Sequence, residues 1–298
     1  MKLSLGVESR ADDQLIFAQQ LGVEEVFIET EDWGAAALAS LSNRVDKAGL
    51  RVAGCILHPT NRPTGQDLAG YPHAVDDLYQ LIEHAAQAGI PRISFGRSHI
   101  RAREAERVPE ERDESSIAPQ NREMRLSDSS DPPVAQTGWG ELSNVVEKLI
   151  SISESTGVRL AWQSDELPSV DTGDPSPLRG LLRFLELGSS SHHGLDLSLT
   201  SFGNTPDALE AIRQTGDRIF SVLLLNHTGS SPLARQTFLD EGTLDIPAVL
   251  RTLKEVGFSG PIRAARGPGM VEDTEWGHKG RAFDLGYLRA ILQQLDVN

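Results

Sequence analysis

Arginine side chains and hydroxyl or amide groups follow the ends of several short apolar segments. Arg263 and Arg266 stand at the end of the last of these segments, just before the tight turn GPG at 267–269. A guanidinium can donate two parallel hydrogen bonds to a carboxylate or phosphate. We therefore predict an anion-binding site centred on Arg266. The other candidate substrate-binding residues are Arg97, Ser198 and Asn226.

Three further residues have the chemistry to move protons, namely Asp165, Asp196 and His227. Carboxylates and imidazoles are the usual general acids and bases, so these three are our candidate catalytic residues. The alternative is structural: Asp165 or Asp196 only neutralises Arg266, and His227 is an exposed loop residue without a role. That second interpretation of His227 is the simpler one.

For other polar residues near segment ends, a surface position without a functional role is the simpler interpretation. Glu29 and Glu31 follow the second apolar segment, but acidic residues are so abundant here that we expect both on the solvated surface. His58 has the same two interpretations as His227. His278 lies in the turn GHKG at 277–280 and is expected at the surface.

Eight short apolar segments alternate with segments of helical spacing. The predicted strands are residues 2–7, 25–28, 51–56, 92–96, 159–163, 194–198, 219–225 and 261–265. Short apolar runs of this kind are typical of parallel strands buried on both faces. The clearest predicted helices are 12–21, 74–88, 141–154, 205–215 and 246–256. Glycine follows several of them, as expected at a helix C-terminus.

Eight strand–helix units predict an α/β fold, a closed (β/α)8 barrel. An open doubly wound sheet is the alternative, but no Gly-x-Gly-x-x-Gly motif follows the first strand, which reads LGVES at 5–9. In a barrel of this type the chemistry lies on the loops at the C-terminal ends of the strands. Most of the polar residues described above lie at or just beyond such ends.

We predict one domain over residues 1–298, because barrels of roughly 250 residues form a single core. The additional length is found at about 101–137, a charged stretch with proline and serine and almost no apolar periodicity. Its simplest interpretation is a mobile surface insertion after the fourth strand. A lid over the barrel mouth is the alternative, since the stretch leaves the functional face.

The amino-acid composition limits the classes of molecule that the protein could bind. The 298 residues carry a formal net charge of −15 with little lysine, which predicts no binding to nucleic acid or anionic membranes. An acidic surface is also typical of proteins that work in concentrated salt. The single cysteine, Cys55, excludes a disulfide framework and is expected as a small buried residue. We expect a cytoplasmic protein, and a homo-oligomer is compatible with the sequence.

Longer stretches then resemble a known family. The segments FLDEGTLD (238–245), LRTLKEVGFSGPIR (250–263) and GRAFDLGYLR (280–289) are similar to D-mannonate dehydratase, a family of xylose-isomerase-like barrels. Weaker similarity extends through RLAWQSDELP (159–168), HGLDLSLTS (193–201), GDRIF (216–220) and AGIP (88–91). The resemblance covers nearly the whole chain outside the insertion.

The resemblance implies a carbon–oxygen lyase that dehydrates D-mannonate to 2-keto-3-deoxygluconate with a divalent metal such as manganese. Removing the proton beside a carboxylate builds negative charge, and the departing hydroxyl needs acid or Lewis-acid help. The family binds its metal through two histidines, a cysteine and an aspartate at the ends of strands five to eight.

The matching positions here hold other residues. The first histidine is replaced by Gln163, the cysteine by Ser198, the second histidine by Leu223 and the aspartate by Ala265. At most two neutral oxygens remain where imidazoles and anions would bind the metal. We therefore predict no metal site and no cofactor.

Two classes of function stay open. One is an enzyme acting on a sugar acid, either a dehydratase with an unexpected metal set or a metal-independent isomerase, epimerase or lyase. The other is a catalytically silent relative that binds a sugar acid or another subunit. Acidic and basic groups clustered at the mouth would favour the enzyme, whereas an apolar, collapsed mouth around Leu223 and Leu225 would favour the silent protein.

Overall fold

The architecture is a closed barrel of eight parallel strands surrounded by helices. The computed structural model describes residues 1–9, 11–30, 32–57, 71–96, 137–167, 177–229 and 235–297. The barrel strands are β1 (Lys2–Glu8), β2 (Glu25–Thr30), β3 (Arg51–Leu57), β4 (Arg92–Phe95), β5 (Arg159–Gln163), β6 (His193–Ser198), β7 (Ile219–Leu224) and β10 (Pro261–Ala264). They pair in the order β1-β10-β7-β6-β5-β4-β3-β2, which closes on itself. The predicted (β/α)8 barrel is confirmed.

One helix lies between each barrel strand and the next, and α8 follows the last strand. The helices are α1 (Asp12–Gln20), α2 (Ala35–Lys47), α3 (Tyr71–Gln87), α4 (Thr137–Thr156), α5 (Pro177–Glu186), α6 (Thr205–Thr215), α7 (Ile246–Glu255) and α8 (His278–Val297). Helices α3 and α4 begin at Tyr71 and Thr137, earlier than predicted. The glycines that follow helices, Gly22, Gly49, Gly89, Gly157 and Gly257, have φ between +64° and +78°. In that region an L side chain would be strained, which explains why glycine ends these helices.

The sequence did not predict one small element. After β7 the chain forms an antiparallel hairpin of β8 (Asn226–Thr228) and β9 (Arg235–Thr237), with Asn226 opposite Thr237. The strand predicted over 219–225 therefore ends at Leu224. Three-residue strands are too short to show an alternating pattern, so no periodicity could have indicated this hairpin.

The core fills the barrel and the layer between strands and helices. Strands β6 and β10 are buried along their whole length. Cys55 is buried and free, as predicted. Within the described ranges, no helix combines the length and apolar character needed to cross a membrane. The predicted insertion at 101–137, except Thr137, lies outside the described residues, as do His58, Glu31 and Arg97.

The barrel interior also contains charge. The Asp196 carboxylate on β6 forms an ion pair with Arg263 on β10 and accepts hydrogen bonds from Ser94 on β4 and Ser221 on β7. The Arg263 guanidinium also lies 4.3 Å from the ring centroid of Phe27 on β2. These polar groups join four strands, the contact with Phe27 adds β2, and together they form a floor directly beneath the barrel mouth.

Candidate functional site

A cavity of about 320 Å³ opens at the C-terminal ends of the strands. Its polar lining consists of Glu29, Gln163, Asp165, Glu166, Asp196, Ser198, Arg263, Arg266 and Arg281. Gly6, Ile56, Leu223, Ala264 and Ala265 complete the wall. The cavity is large enough for a small polar ligand and lies where barrels of this type carry their chemistry.

The four positions that the resemblance matched to metal ligands, Gln163, Ser198, Leu223 and Ala265, all line this one cavity. The strand register therefore brings together the positions that a metal site would use. Their side chains do not fit a divalent transition metal, because Leu223 and Ala265 have no donor atom and the other two donors are neutral. Among the described residues, no three His, Cys, Asp or Glu side chains are grouped so that they could hold a metal ion.

The floor of the cavity is the Asp196–Arg263 pair. Burial alone would raise the pKa of Asp196, but Arg263 and the hydroxyls of Ser94 and Ser221 together lower it below its usual value. Both carboxylate oxygens accept hydrogen bonds, one from Ser221 at 2.7 Å and the other from Ser94 and Arg263. Asp196 is thus ionised, and both of its oxygens are hydrogen-bonded. This environment suits a structural ion pair better than proton transfer.

On the wall formed after β5, three oxygen-bearing side chains form a hydrogen-bonded chain. The Thr200 hydroxyl donates to Asp165 Oδ2 at 3.1 Å and lies 2.7 Å from Ser198 Oγ. Loss of hydration raises the pKa of Asp165, although the hydrogen bond from Thr200 acts in the opposite direction. Asp165 faces the open mouth, so it is the candidate catalytic residue that the structure places best.

Two arginines stand on the other side of the mouth. Arg281, on the first turn of α8, donates from Nε to the carbonyl oxygen of Trp276 at 2.9 Å and stacks 4.4 Å from the centroid of the Trp276 ring. Arg266 is exposed and, within the described ranges, its guanidinium has no hydrogen-bond or ion-pair partner. The alternative that Arg266 is neutralised by Asp165 or Asp196 is not what the structure shows, since Asp196 pairs with Arg263.

Glu29 and Glu166 complete the charged lining. Glu29 lines the cavity, so the expectation of a solvated surface position is wrong. A methyl group at Gly6 would lie only 2.9 Å from the Glu29 carboxyl carbon, which shows how closely this carboxylate crosses β1. Likewise, a methyl group at Gly96 would lie 2.9 Å from Cβ of Glu166. Both glycines provide space for an acidic side chain at the mouth.

His227 and Asn226 do not reach the cavity. His227 is 3 % exposed, so the interpretation as an exposed loop histidine is wrong, and its Nε2 lies 3.1 Å from the carbonyl oxygen of Phe202. Asn226 donates to the carbonyls of Leu239 and Leu244 and accepts from two backbone amides. These contacts tie the β8–β9 hairpin to the loop before α7. The predicted roles of both residues at the ligand find no support in this geometry.

Sequence reasoning missed Arg281 and did not single out Glu166. Arg281 lies in α8 and not at a strand end, so the pattern of strand ends does not indicate it; the one signal in the sequence is its short distance from Arg266. Glu166 directly follows Asp165, and its position beside that residue is the signal that would have indicated it. His278 is partly buried beside Phe17 and Trp276 rather than free at the surface.

The closed parallel barrel with a polar cavity at the strand ends defines the class: a xylose-isomerase-like (β/α)8 barrel. Its solved structural neighbours include a xylose isomerase domain protein from Planctomyces limnophilus, with a TM-score of 0.66 at 16% identity, over 100% of this chain and 98% of that one. A D-psicose 3-epimerase from Clostridium cellulolyticum H10 superposes with a TM-score of 0.69 at 12% identity, over 98% and 99% of the two chains. At these identities the likeness shows the fold.

The family follows from the sequence match. Residues 134–298 match the family model for D-mannonate dehydratase (UxuA), and the chain belongs to this family. A mannonate dehydratase from Streptococcus agalactiae serotype V is 26% identical over 88% of this chain and 84% of its own length. Mannonate dehydratase 2 from Halalkalibacterium halodurans is 29% identical, but the match covers 51% of this chain and 46% of that protein. The mannonate dehydratase of Streptococcus suis serotype 2 superposes with a TM-score of 0.72 at 17% identity, over 99% and 95% of the chains.

Proposed function

We propose that this member of the mannonate dehydratase family binds a sugar acid in the mouth cavity without a resident divalent metal, and that metal-dependent dehydration of D-mannonate is absent. The observation that carries the proposal is the convergence of Gln163, Ser198, Leu223 and Ala265 on one cavity. The barrel brings these four positions together, but their side chains are not the donor groups that a metal site needs. A borderline transition metal prefers imidazole, thiolate or carboxylate ligands, which these positions do not offer.

The charged lining supports a sugar acid as the ligand. Of the three cavity arginines, Arg263 is neutralised by Asp196, and Arg281 donates from Nε to the carbonyl oxygen of Trp276. Arg266 therefore supplies the main cation for the carboxylate of a ligand, because its planar guanidinium can form two hydrogen bonds with a carboxylate. Carboxylate and hydroxyl side chains on the other walls suit the hydroxyl groups of a sugar.

A metal-independent isomerase or epimerase of sugar acids is the second candidate. It is supported by Asp165, an acid with raised pKa in an open cavity that also contains arginines. Such a group could take a proton next to the ligand's carboxylate while Arg266 stabilises the charge that develops. A silent protein with a collapsed, apolar mouth is less well supported, because Leu225 is buried away from the cavity and Leu223 is the one leucine among the described residues that line it.

Isothermal titration calorimetry of D-mannonate in the presence of EDTA tests the proposal. We expect binding by the wild type and a loss of about tenfold or more in affinity for Arg266→Gln, because a charge-assisted bidentate contact is removed. Arg251→Gln is the matched control, since Arg251 is an exposed arginine on the outer helix α7. Equal affinity of both variants would overturn the assignment of Arg266, and no binding by the wild type would overturn the proposal.

A further inference from the structure

Two arginines and two carboxylates lie on opposite walls of the cavity. In the closed order of strands, β10 lies across the barrel from β4, and β1 lies across from β5. Arg266 follows β10, and Arg281 comes from the helix after it. Asp165 and Glu166 follow β5, with the Glu166 side chain packed over Gly96 at the end of β4. Arg266 and Arg281 therefore face Asp165 and Glu166 across the mouth, whereas the Glu29 carboxylate lies against Gly6 on β1, on the side of the arginines.

Local contacts hold the residues on each wall. Arg281 is 9 % exposed and fixed by the carbonyl oxygen and the ring of Trp276. Between the walls lies Arg263, which is 5 % exposed and uses only Nη2 for a hydrogen bond within the described part of the chain. On the acidic wall, Thr200 holds Asp165 through the 3.1 Å hydrogen bond to Oδ2. A ligand would therefore meet Arg281, Arg263 and Asp165 in orientations that are already fixed, which lowers the entropic cost of binding.

We propose that Glu166 and Asp165 form the hydroxyl-binding wall of the cavity, so that a sugar acid lies across the mouth with its carboxylate at Arg266 and Arg281 and its distal hydroxyls at the two acidic side chains. This assignment rests on the proposed function and adds the orientation of the ligand. Carboxylates accept hydrogen bonds from hydroxyl groups, and such charge-assisted bonds are about twice as strong as neutral ones.

The same wall selects against a second negative charge. An aldonate has one carboxylate and a terminal hydroxyl, whereas the matching aldarate has a carboxylate at both ends. In the proposed orientation the second carboxylate of an aldarate would face Asp165 and Glu166. Like charges at short distance oppose binding, so the cavity is specific for monocarboxylic sugar acids through repulsion as well as attraction.

Titrations of D-mannonate and D-mannarate into the wild type and Glu166→Gln test this inference. The wild type is expected to prefer D-mannonate. In Glu166→Gln the affinity for D-mannonate falls and that for D-mannarate rises, so the ratio of the two changes by on the order of tenfold. Opposite changes for two ligands cannot arise from a general loss of folding. Glu255→Gln, at an exposed position on α7, is the matched control and should leave the ratio unchanged.

Gly96→Ala provides an independent second variant. The added methyl group would displace the Glu166 side chain without removing its charge, and should change the ratio in the same direction. If D-mannonate binds the wild type but Glu166→Gln leaves the preference unchanged, the orientation is wrong and the proposed function stands. If neither sugar acid binds the wild type, the proposed function itself fails, and the orientation with it.

Discussion

At the scale of single residues, the environment rather than the residue type decides what a charged group can do. Asp165 and Asp196 were equal candidates for proton transfer in the sequence. The structure gives Asp196 an arginine partner and two hydroxyl donors, whereas Asp165, within the described residues, accepts one side-chain hydrogen bond, from Thr200, and faces the mouth. Such differences arise from contacts between distant strands, so a sequence pattern cannot show them.

His193 provides a pH-dependent test at this scale. It is completely buried at the start of β6, its Nε2 lies 3.2 Å from the carbonyl oxygen of Phe184, and its Nδ1 has no partner within the described residues. Burial lowers the pKa of His193 to about 4, with the hydrogen bond to Phe184 acting in the opposite direction. The folded protein therefore contains the neutral imidazole at physiological pH.

The direction of the pH effect follows from this lowered pKa. As the pH falls below about 6.5, the unfolded chain binds a proton at His193 before the folded protein does, so stability is lost between about pH 6.5 and 4. Over this range we expect the unfolding free energy of the wild type to fall by on the order of 3 kcal/mol because of His193, and we expect His193→Gln to abolish that fall. Urea unfolding at several pH values measures this change in unfolding free energy. His192→Gln is the control, because the neighbouring His192 is partly exposed. Parallel pH profiles for wild type and His193→Gln would refute the assignment.

At the scale of elements, the strands and their order could be predicted from the sequence, but the hairpin and part of the cavity wall could not. Short apolar segments and glycines after helices are local signals, and all eight barrel strands were located within a few residues. Gln163, Ser198, Leu223, Ala265 and Arg266 reached the mouth as expected because they lie at or just beyond strand ends. Arg281 and Glu166 reach it through a helix and a turn, whose direction depends on packing.

The Asp196–Arg263 pair should hold four barrel strands together. Asp196→Asn keeps the shape of the side chain but leaves Arg263 buried without its counter-charge, and we expect unfolding free energy to fall by about 3–5 kcal/mol. Adding Arg263→Met should restore part of this loss, because an apolar side chain needs no partner.

Chemical denaturation of the single and double variants measures the effect of the pair. Asp46→Asn is the control, because Asp46 is an exposed residue of α2, where a change of less than about 0.5 kcal/mol is expected. If Asp196→Asn is no more destabilising than Asp46→Asn, the pair does not stabilise the barrel.

At the scale of the whole molecule, the net charge of −15 predicts that salt stabilises the fold. Repulsion between surface carboxylates is screened over about 10 Å at 0.1 M salt and over shorter distances at higher concentration. We expect the melting temperature at pH 8 to rise steadily with sodium chloride. The same titration near the isoelectric point of about 4.9 is the control, and should show a smaller rise. An equal rise at both pH values would assign the effect to something other than charge repulsion.

We propose that this barrel keeps the fold of the mannonate dehydratase family and carries an arginine-based anion site where the resemblance implies a metal site. The most direct test is a titration of the protein with Mn²⁺, following free Mn²⁺ by electron paramagnetic resonance with and without D-mannonate. We predict no stoichiometric Mn²⁺ binding, D-mannonate binding that is the same in Mn²⁺ and in EDTA, and no formation of 2-keto-3-deoxygluconate. One tightly bound Mn²⁺ per chain that strengthens D-mannonate binding or starts its dehydration would contradict the account.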